Sequence, residues 1–209
     1  MRAVRWLIVI GIATGVCWLF PLFHVVPLKA AAEQKPAAVF DPTRFAESFW
    51  DTQLLPAIAQ SVKAETLLPA IQSDPAAAKN QFSRRVGLAD SYFYFLSGSG
   101  KVVAVSEDEI SLNVTGGTNA EISLPAGLIF GNALRDGTGL LDANHYPNSQ
   151  DFNALSEALN HAAETRVLPK LREQAKVGAR IFFAGCAEVA DESADLKPLK
   201  VIPIQTSAE

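Results

Sequence analysis

Apolar positions along the chain change period three times, and each change marks a different kind of element. From Trp6 to Val26 there is no Asp, Glu, Lys or Arg. A helix rises about 1.5 Å per residue, so this run is about 30 Å long and predicts a single membrane crossing. Residues 1–28 therefore read as a membrane anchor or signal segment. The Pro-, Ala- and Lys-containing stretch 29–40 reads as a tether, and 41–209 as the exported domain. Helical spacing begins at "FDPTRFAESFW", where Asp41 is placed as N-cap and Pro42 at the first helical position. Phe40 and Phe45 are spaced for a hydrophobic staple. Phe45, Phe49, Leu54 and Ile58 mark one apolar face, which Pro56 should break or kink. Asp74-Pro75 signals a second start. "LLPAI" occurs at 54–58 and again at 67–71, which reads as two short helices entered through proline. Phe45, Phe49 and Trp50 are predicted to pack onto the domain C-terminal to them.

After Ser97-Gly98-Ser99-Gly100 the period falls to two. "KVVAVSED" and "EISLNVTGG" read as strands joined at Glu107-Asp108-Glu109, and "AEISLPAG" as a third. An amphipathic helix is predicted over 149–174, with Phe152, Leu155, Leu159 and Ala163 on one face and Pro169 kinking or splitting it. "ARIFFAGCAEV" and "PLKVIPIQ" close the chain as strands. Three strands, a helix and two strands is the order of an OB-fold. The predicted fold is α+β: an N-terminal transmembrane helix, a helical part over 41–96, then an OB-like five-stranded antiparallel barrel over 97–209. One helix lies between strands three and four. Another small antiparallel sheet packed on the same helix is the alternative.

Charge fixes the expected orientation. Arg2 and Arg5 keep the short N-terminus in the cytoplasm by the positive-inside rule. The protein is then single-pass in the inner membrane, through residues 6–26, with its C-terminal domain in the periplasm. Two other readings remain open. Ala30-Ala31-Ala32 offers an A-x-A site, so cleavage near Ala32 would release the domain. Lipidation at Cys17 would need a small residue before it, where Val16 stands. Cys186, in "RIFFAGCAEV", is expected to be a buried small side chain rather than a nucleophile. All 22 Asp and Glu fall after residue 32, whereas Arg2, Arg5 and Lys29 precede it. The exported part is thus more acidic than the whole-chain net charge of −4. No basic run offsets this, so nucleic acid is not an expected partner.

The candidate chemistry is concentrated in "GNALRDGTGLLDANHYPNSQDFN", Gly131 to Asn153. The spacing of Asp142, Asn144 and Asn148 does not make an EF-hand loop. His145 and His161 lack the neighbours of a zinc site. No G-x-S-x-G elbow, Rossmann fingerprint or Walker pattern occurs. Neither a cofactor nor a metal is expected. Much of the stretch has a structural explanation: Asn148 and Asp151 have capping-box spacing before the helix, and Gly137 and Gly139 permit positive φ. Arg135, Asp136, Asp142, Asn144, His145 and Asn153 are left as a candidate ligand or partner surface. If the protein were instead a glycan-acting enzyme, Asp136 and Asp142 would be its carboxylate pair.

"FWDTQLLPAI", "GNALRDGTGLLDANHYPNSQDFN", "VGARIFFAGCAEV" and "LKVIPI", in that order, resemble an uncharacterised bacterial family of predicted periplasmic lipoproteins, a domain of unknown function. Members of that family are commonly encoded beside ribose-type sugar ABC transporters. The resemblance implies a periplasmic, non-enzymatic accessory role in sugar uptake, with transporter components or the sugar itself as partners. It carries no catalytic residues to this chain. A carbohydrate-binding module is the alternative.

Overall fold

A computed structural model of the chain describes residues 40–87, 90–146 and 148–209. The segment on which the transmembrane, signal and tether expectations rest, 1–39, lies outside these residues. Among the described residues no helix is long and apolar enough to cross a membrane. Asp41 caps α1 (Pro42–Phe49), its Oδ1 accepting the Arg44 N–H at 3.0 Å. A π turn over Trp50–Leu54 comes next, then α2 (Leu55–Ala57) and a 3-10 turn at Ile58–Gln60. Pro56 has no N–H to offer the carbonyl four residues back, and its ring needs room there. The Leu55 N–H reaches Trp50 O instead. The interruption at Pro56 thus takes the form of one wide turn inside a continuing helix.

The segment up to residue 96 is not wholly helical. β1 (Val62–Lys63) precedes α3 (Ala64–Ser73), and β2 (Ser83–Arg85) follows α4 (Pro75–Phe82). Both strands pair with β3 (Tyr92–Val105), the long spine of the sheet. β4 (Glu109–Asn113) and β5 (Ile122–Pro125) extend it antiparallel. Then come α5 (Ala133–Asp136), a 3-10 turn at Ala143–His145, α6 (Ser149–Arg166) and α7 (Leu168–Gln174). The predicted helix over 149–174 is therefore split at Val167, with Pro169 in the first turn of the second piece. β6 (Arg180–Val189), α8 (Glu192–Asp195), β7 (Leu199–Lys200) and β8 (Ile202–Ala208) complete the chain.

The expected five-stranded barrel is corrected to an eight-stranded sheet of order β7-β5-β4-β3-β6-β8, with β1 and β2 also on β3. Strands as short as β1 and β2 carry too few residues to show a period of two. The last predicted strand divides at Val201. Leu199–Lys200 pairs in parallel with Ile122–Ser123, and Ile202–Ala208 runs antiparallel to β6. One run of chain thus meets both ends of the sheet and curls it. The Ser-Gly-Ser-Gly run, which reads as a change of pattern, lies inside β3, paired residue for residue with Ala184 to Ile181. Gly98 is needed there because a Cβ would stand 2.7 Å from Ala64 Cβ at the start of α3.

The core lies between the sheet and the helices. Phe49, Trp50, Leu155, Leu159, Ala163, Leu168 and Leu171 join Leu96, Leu112, Leu124, Phe183 and Ile204 in one buried cluster. α1 packs along α6, as the aromatic face of "FAESFW" leads one to expect. Phe45 stacks on Phe49 at 5.9 Å and meets Tyr146 edge-on at 6.1 Å. Tyr146 in turn packs against Phe152 at 5.1 Å. This aromatic series positions the start of α6, and with it the region of greatest functional interest.

Candidate functional site

Arg135 and Asp136 sit in the short helix α5 and are both nearly closed to solvent, 7 % and 6 % exposed. Arg135 donates from Nε to Asp136 Oδ1 at 2.7 Å and from Nη2 to Oδ2 at 2.8 Å. Its Nη1 donates to Asn153 Oδ1 at 3.1 Å, and the guanidinium lies over the Phe152 ring at 4.1 Å. A two-pronged ion pair between adjacent residues, with its remaining donors turned onto the first turns of α6, locks α5 to that helix.

Asp142, Asn144 and His145 are exposed and belong to a different local structure. Asp142 Oδ1 accepts from Asn144 N and Nδ2, both at 2.9 Å, which caps the 3-10 turn. Among the described residues no hydrogen bond or ion pair joins this turn to the Arg135 group. A glycosidase would need two facing carboxyls about 5–5.5 or 6.5–9.5 Å apart, one of them carrying a proton. Here both oxygens of Asp136 accept from Arg135, while Asp142 caps an exposed turn. The six candidate residues thus form two clusters, and Asn153 borders an open recess.

The helix start matches its sequence signature. Asn148 Oδ1 accepts the Asp151 N–H at 2.7 Å, and its Nδ2 donates back to Asp151 Oδ2 at 2.9 Å. Replacing Asn148 with Ala is expected to lower stability by about 1 kcal/mol, with Gly at the same position costing less. Thermal melts of the two variants check this; equal losses would assign the effect to something other than the cap.

Beside this entrance runs a groove of about 440 Å³ between α6 and the loop 126–132. Asn153, Ser156, Glu157, Asn160, His161 and Glu164 line it from the helix, and Phe130 and Asn132 from the loop. The six helical positions are spaced three and one apart in turn, which puts them on one face. That spacing is present in the sequence, but a polar stripe on a helix reads first as a solvated face, and the denser loop before it carries the louder signal.

The loop opposite is fastened at several points. Ala126 O accepts from Arg172 Nε at 2.6 Å, and Ile129 N–H donates to Glu164 Oε1 at 2.7 Å. Asn160 Nδ2 donates to Gly131 O at 3.0 Å, and Ser156 Oγ to Asn132 Oδ1 at 2.9 Å. Ile129 points inward, 5 % exposed, yet Leu128 and Phe130 on either side are 72 % and 78 % exposed. A loop fixed this firmly presents those two apolar side chains to solvent by construction.

Elsewhere the unusual groups have structural explanations. Burial raises the Glu121 pKa, but bonds from the Thr115 hydroxyl and the Thr115 and Val114 N–H groups outweigh it and hold the carboxyl below its ordinary range. Glu121 thereby closes the β4–β5 connection. Burial pushes the Cys186 thiol well up, and the residue has no exposed surface, so it is no nucleophile. Tyr92 and Tyr94 meet edge-on at 5.4 Å, and burial raises both phenols. Among the described residues no three His, Cys, Asp or Glu side chains are grouped to hold a metal.

With this geometry in place, comparison with known proteins adds a family. The family model described as "Predicted periplasmic lipoprotein (DUF2291)" matches residues 8–207. The chain belongs to that family. Its members are described as periplasmic, in keeping with the placement expected from Arg2, Arg5 and the apolar run, and their function is unknown. No curated protein matches the chain. Among solved structures, an OB-fold protein from Thermotoga maritima is similar, with a TM-score of 0.72 and 23 % identity over 81 % of this chain and 99 % of that one. At that identity the likeness speaks for the fold. It relates the curled sheet to OB-folds.

Proposed function

We propose that this member of the DUF2291 family is a non-enzymatic accessory of a sugar ABC transporter, exported to the periplasm and kept at the membrane by its N-terminal segment. The observation that carries the reading is the fastened loop 126–132, which holds Leu128 and Phe130 out in solvent beside a polar groove. Exposed apolar side chains on a rigid support mark contact surfaces. The resemblance to proteins encoded beside sugar transporters suggests what is contacted. The buried Arg135–Asp136 ion pair holds α5 to α6, a structural use of the most conspicuous charges in this part of the chain.

The test is purification of the tagged full chain from its own membranes. A sugar ABC transporter permease or its solute-binding protein is expected to accompany it, and Leu128→Ser with Phe130→Ser is expected to remove that partner. Uptake of the transporter's sugar should fall when the gene is deleted. Unchanged uptake, together with no transporter component in the purified material, would overturn the proposal.

A further inference from the structure

We infer that the groove between α6 and the loop 126–132 binds the ring of a neutral saccharide. The inference rests on the sugar-uptake reading for its biological setting, but its argument is the chemistry of the groove. Among the described residues no Lys or Arg lines it, whereas Glu157 and Glu164 do, with His161 beside Glu164. Phosphates, sugar acids and other anions are therefore disfavoured.

Two of the groove's amides are oriented by their partners. Arg135 has donors alone, so Asn153 must offer it Oδ1, which leaves the Asn153 Nδ2 group as a donor. Gly131 O accepts from Asn160 Nδ2, which leaves Asn160 Oδ1 as an acceptor. The Asn132 side chain meets the Ser156 hydroxyl at 2.9 Å, and since a hydroxyl can donate or accept, this pair offers the groove either a donor or an acceptor. Asn160 is 7 % exposed, so its orientation is held by packing as well as by its hydrogen bond. Glu157 adds a second acceptor. A fixed donor at Asn153, a fixed acceptor at Asn160, the Glu157 carboxylate and the adaptable Asn132–Ser156 pair suit hydroxyl groups, each of which both donates and accepts. The Phe130 ring at the rim supplies a flat apolar face of the kind on which the C–H face of a sugar ring packs. A cationic peptide would suit the carboxylates, and its carbonyls could take the amide donors, so tri-lysine is the comparison that separates the two occupants. The buried Arg135–Asp136 pair acquires a purpose here, as a positioning device that sets the Asn153 amide.

The experiment uses the full chain in a sugar-free detergent, titrated with D-ribose, D-glucose, D-galactose and D-xylose, and with D-glucuronate and tri-lysine as charged comparisons. Saturation-transfer NMR and calorimetry give the readout. At least one neutral sugar should bind with a Kd of roughly 0.1–10 mM, and glucuronate should not. Phe130→Ala should weaken binding roughly three- to tenfold. Asn153→Asp is the sharper variant, because it keeps an acceptor for Arg135 and removes the donor; affinity should fall about tenfold or more with the melting temperature unchanged. Three results would overturn the inference: no binding of any neutral sugar at 50 mM (about five times the weakest Kd expected), binding of tri-lysine in preference to every sugar, or sugar binding indifferent to both substitutions. If the transporter still accompanies the protein while sugar binding is absent, the groove inference fails and the accessory role stands. If a sugar binds but no transporter component accompanies the protein and uptake is unchanged, the accessory role fails and the groove inference stands.

Discussion

Asp136→Ala is expected to cost the protein about 3–5 kcal/mol of stability, because it leaves the buried Arg135 guanidinium without its carboxylate. Arg135 and Asp136 side chains are 8 % and 6 % exposed, so water cannot replace the lost partner without opening the packing of α5 on α6. What remains to the guanidinium is Asn153 Oδ1 at 3.1 Å, a weak contact to Phe152 O at 3.4 Å and the Phe152 ring. At this chain length such a loss lowers the melting temperature by roughly 10 °C. Urea unfolding of three proteins separates the causes. The double variant Arg135→Met, Asp136→Ala should recover a large part of the loss, since it removes the unpaired charge together with its partner. Lys79 and Glu192 also form a 2.8 Å ion pair, but they are 28 % and 45 % exposed. Glu192→Ala should therefore cost far less than Asp136→Ala. If Asp136→Ala behaved like Glu192→Ala, the Arg135 pair would not be the lock that joins α5 to α6.

The contrast between these pairs shows what the chain discloses and what it withholds. Helix starts were legible because one residue and its near neighbours decide them: Asp41, Asp74 and Asn148 each accept the N–H three residues on. The buried face of α6 was legible for the same reason, since Phe152, Leu155, Leu159 and Ala163 recur at helical spacing. Sheet architecture depends on distant partners. Val62–Lys63 is a strand because Leu96 and Ser97 lie beside it, not through any pattern of its own. Likewise, the break at Val201 arises from β5 and β6 claiming successive parts of one apolar run.

The site divides along the same line. Arg135, Asp136 and Asn153 stand out in the sequence and do meet, Arg135 and Asp136 as a buried support beneath the exposed Asn153. Asp142, Asn144 and His145 stand out equally and form an exposed capped turn. The groove is built from Ser156, Asn160 and Glu164, each an ordinary residue for a solvated helix face. Their special character comes from Asn132, Gly131 and Ile129, which a separate segment brings against them.

Gly137→Ala is expected to destabilise the fold by about 3 kcal/mol, and the reason is contact rather than backbone conformation. The sequence suggested positive φ at both Gly137 and Gly139. Gly139 has it, at φ +71°, but Gly137 is helical, at φ −67°. A Cβ on Gly137 would stand 2.5 Å from Ala133 O and 2.6 Å from Cys186 Cβ, neither of which is the end of a flexible side chain. Gly137 is what allows α5 to lie directly on β6. At Gly139 the clash would be with the end of the Arg84 side chain, which can move aside. Gly139→Ala should therefore cost about 1–2 kcal/mol, from backbone strain. Two further variants discriminate. Cys186→Ala removes Sγ but keeps Cβ, so it should restore little of the Gly137→Ala loss. Gly137→Ala should also disturb the groove, because α5 carries the Arg135 that orients Asn153; Gly139→Ala should leave the groove alone. Denaturation curves, with NMR of the Asn153 side-chain amide as a local probe, measure both effects. A Gly137→Ala protein as stable as wild type, or one fully restored by Cys186→Ala, would show that α5 does not press directly on β6.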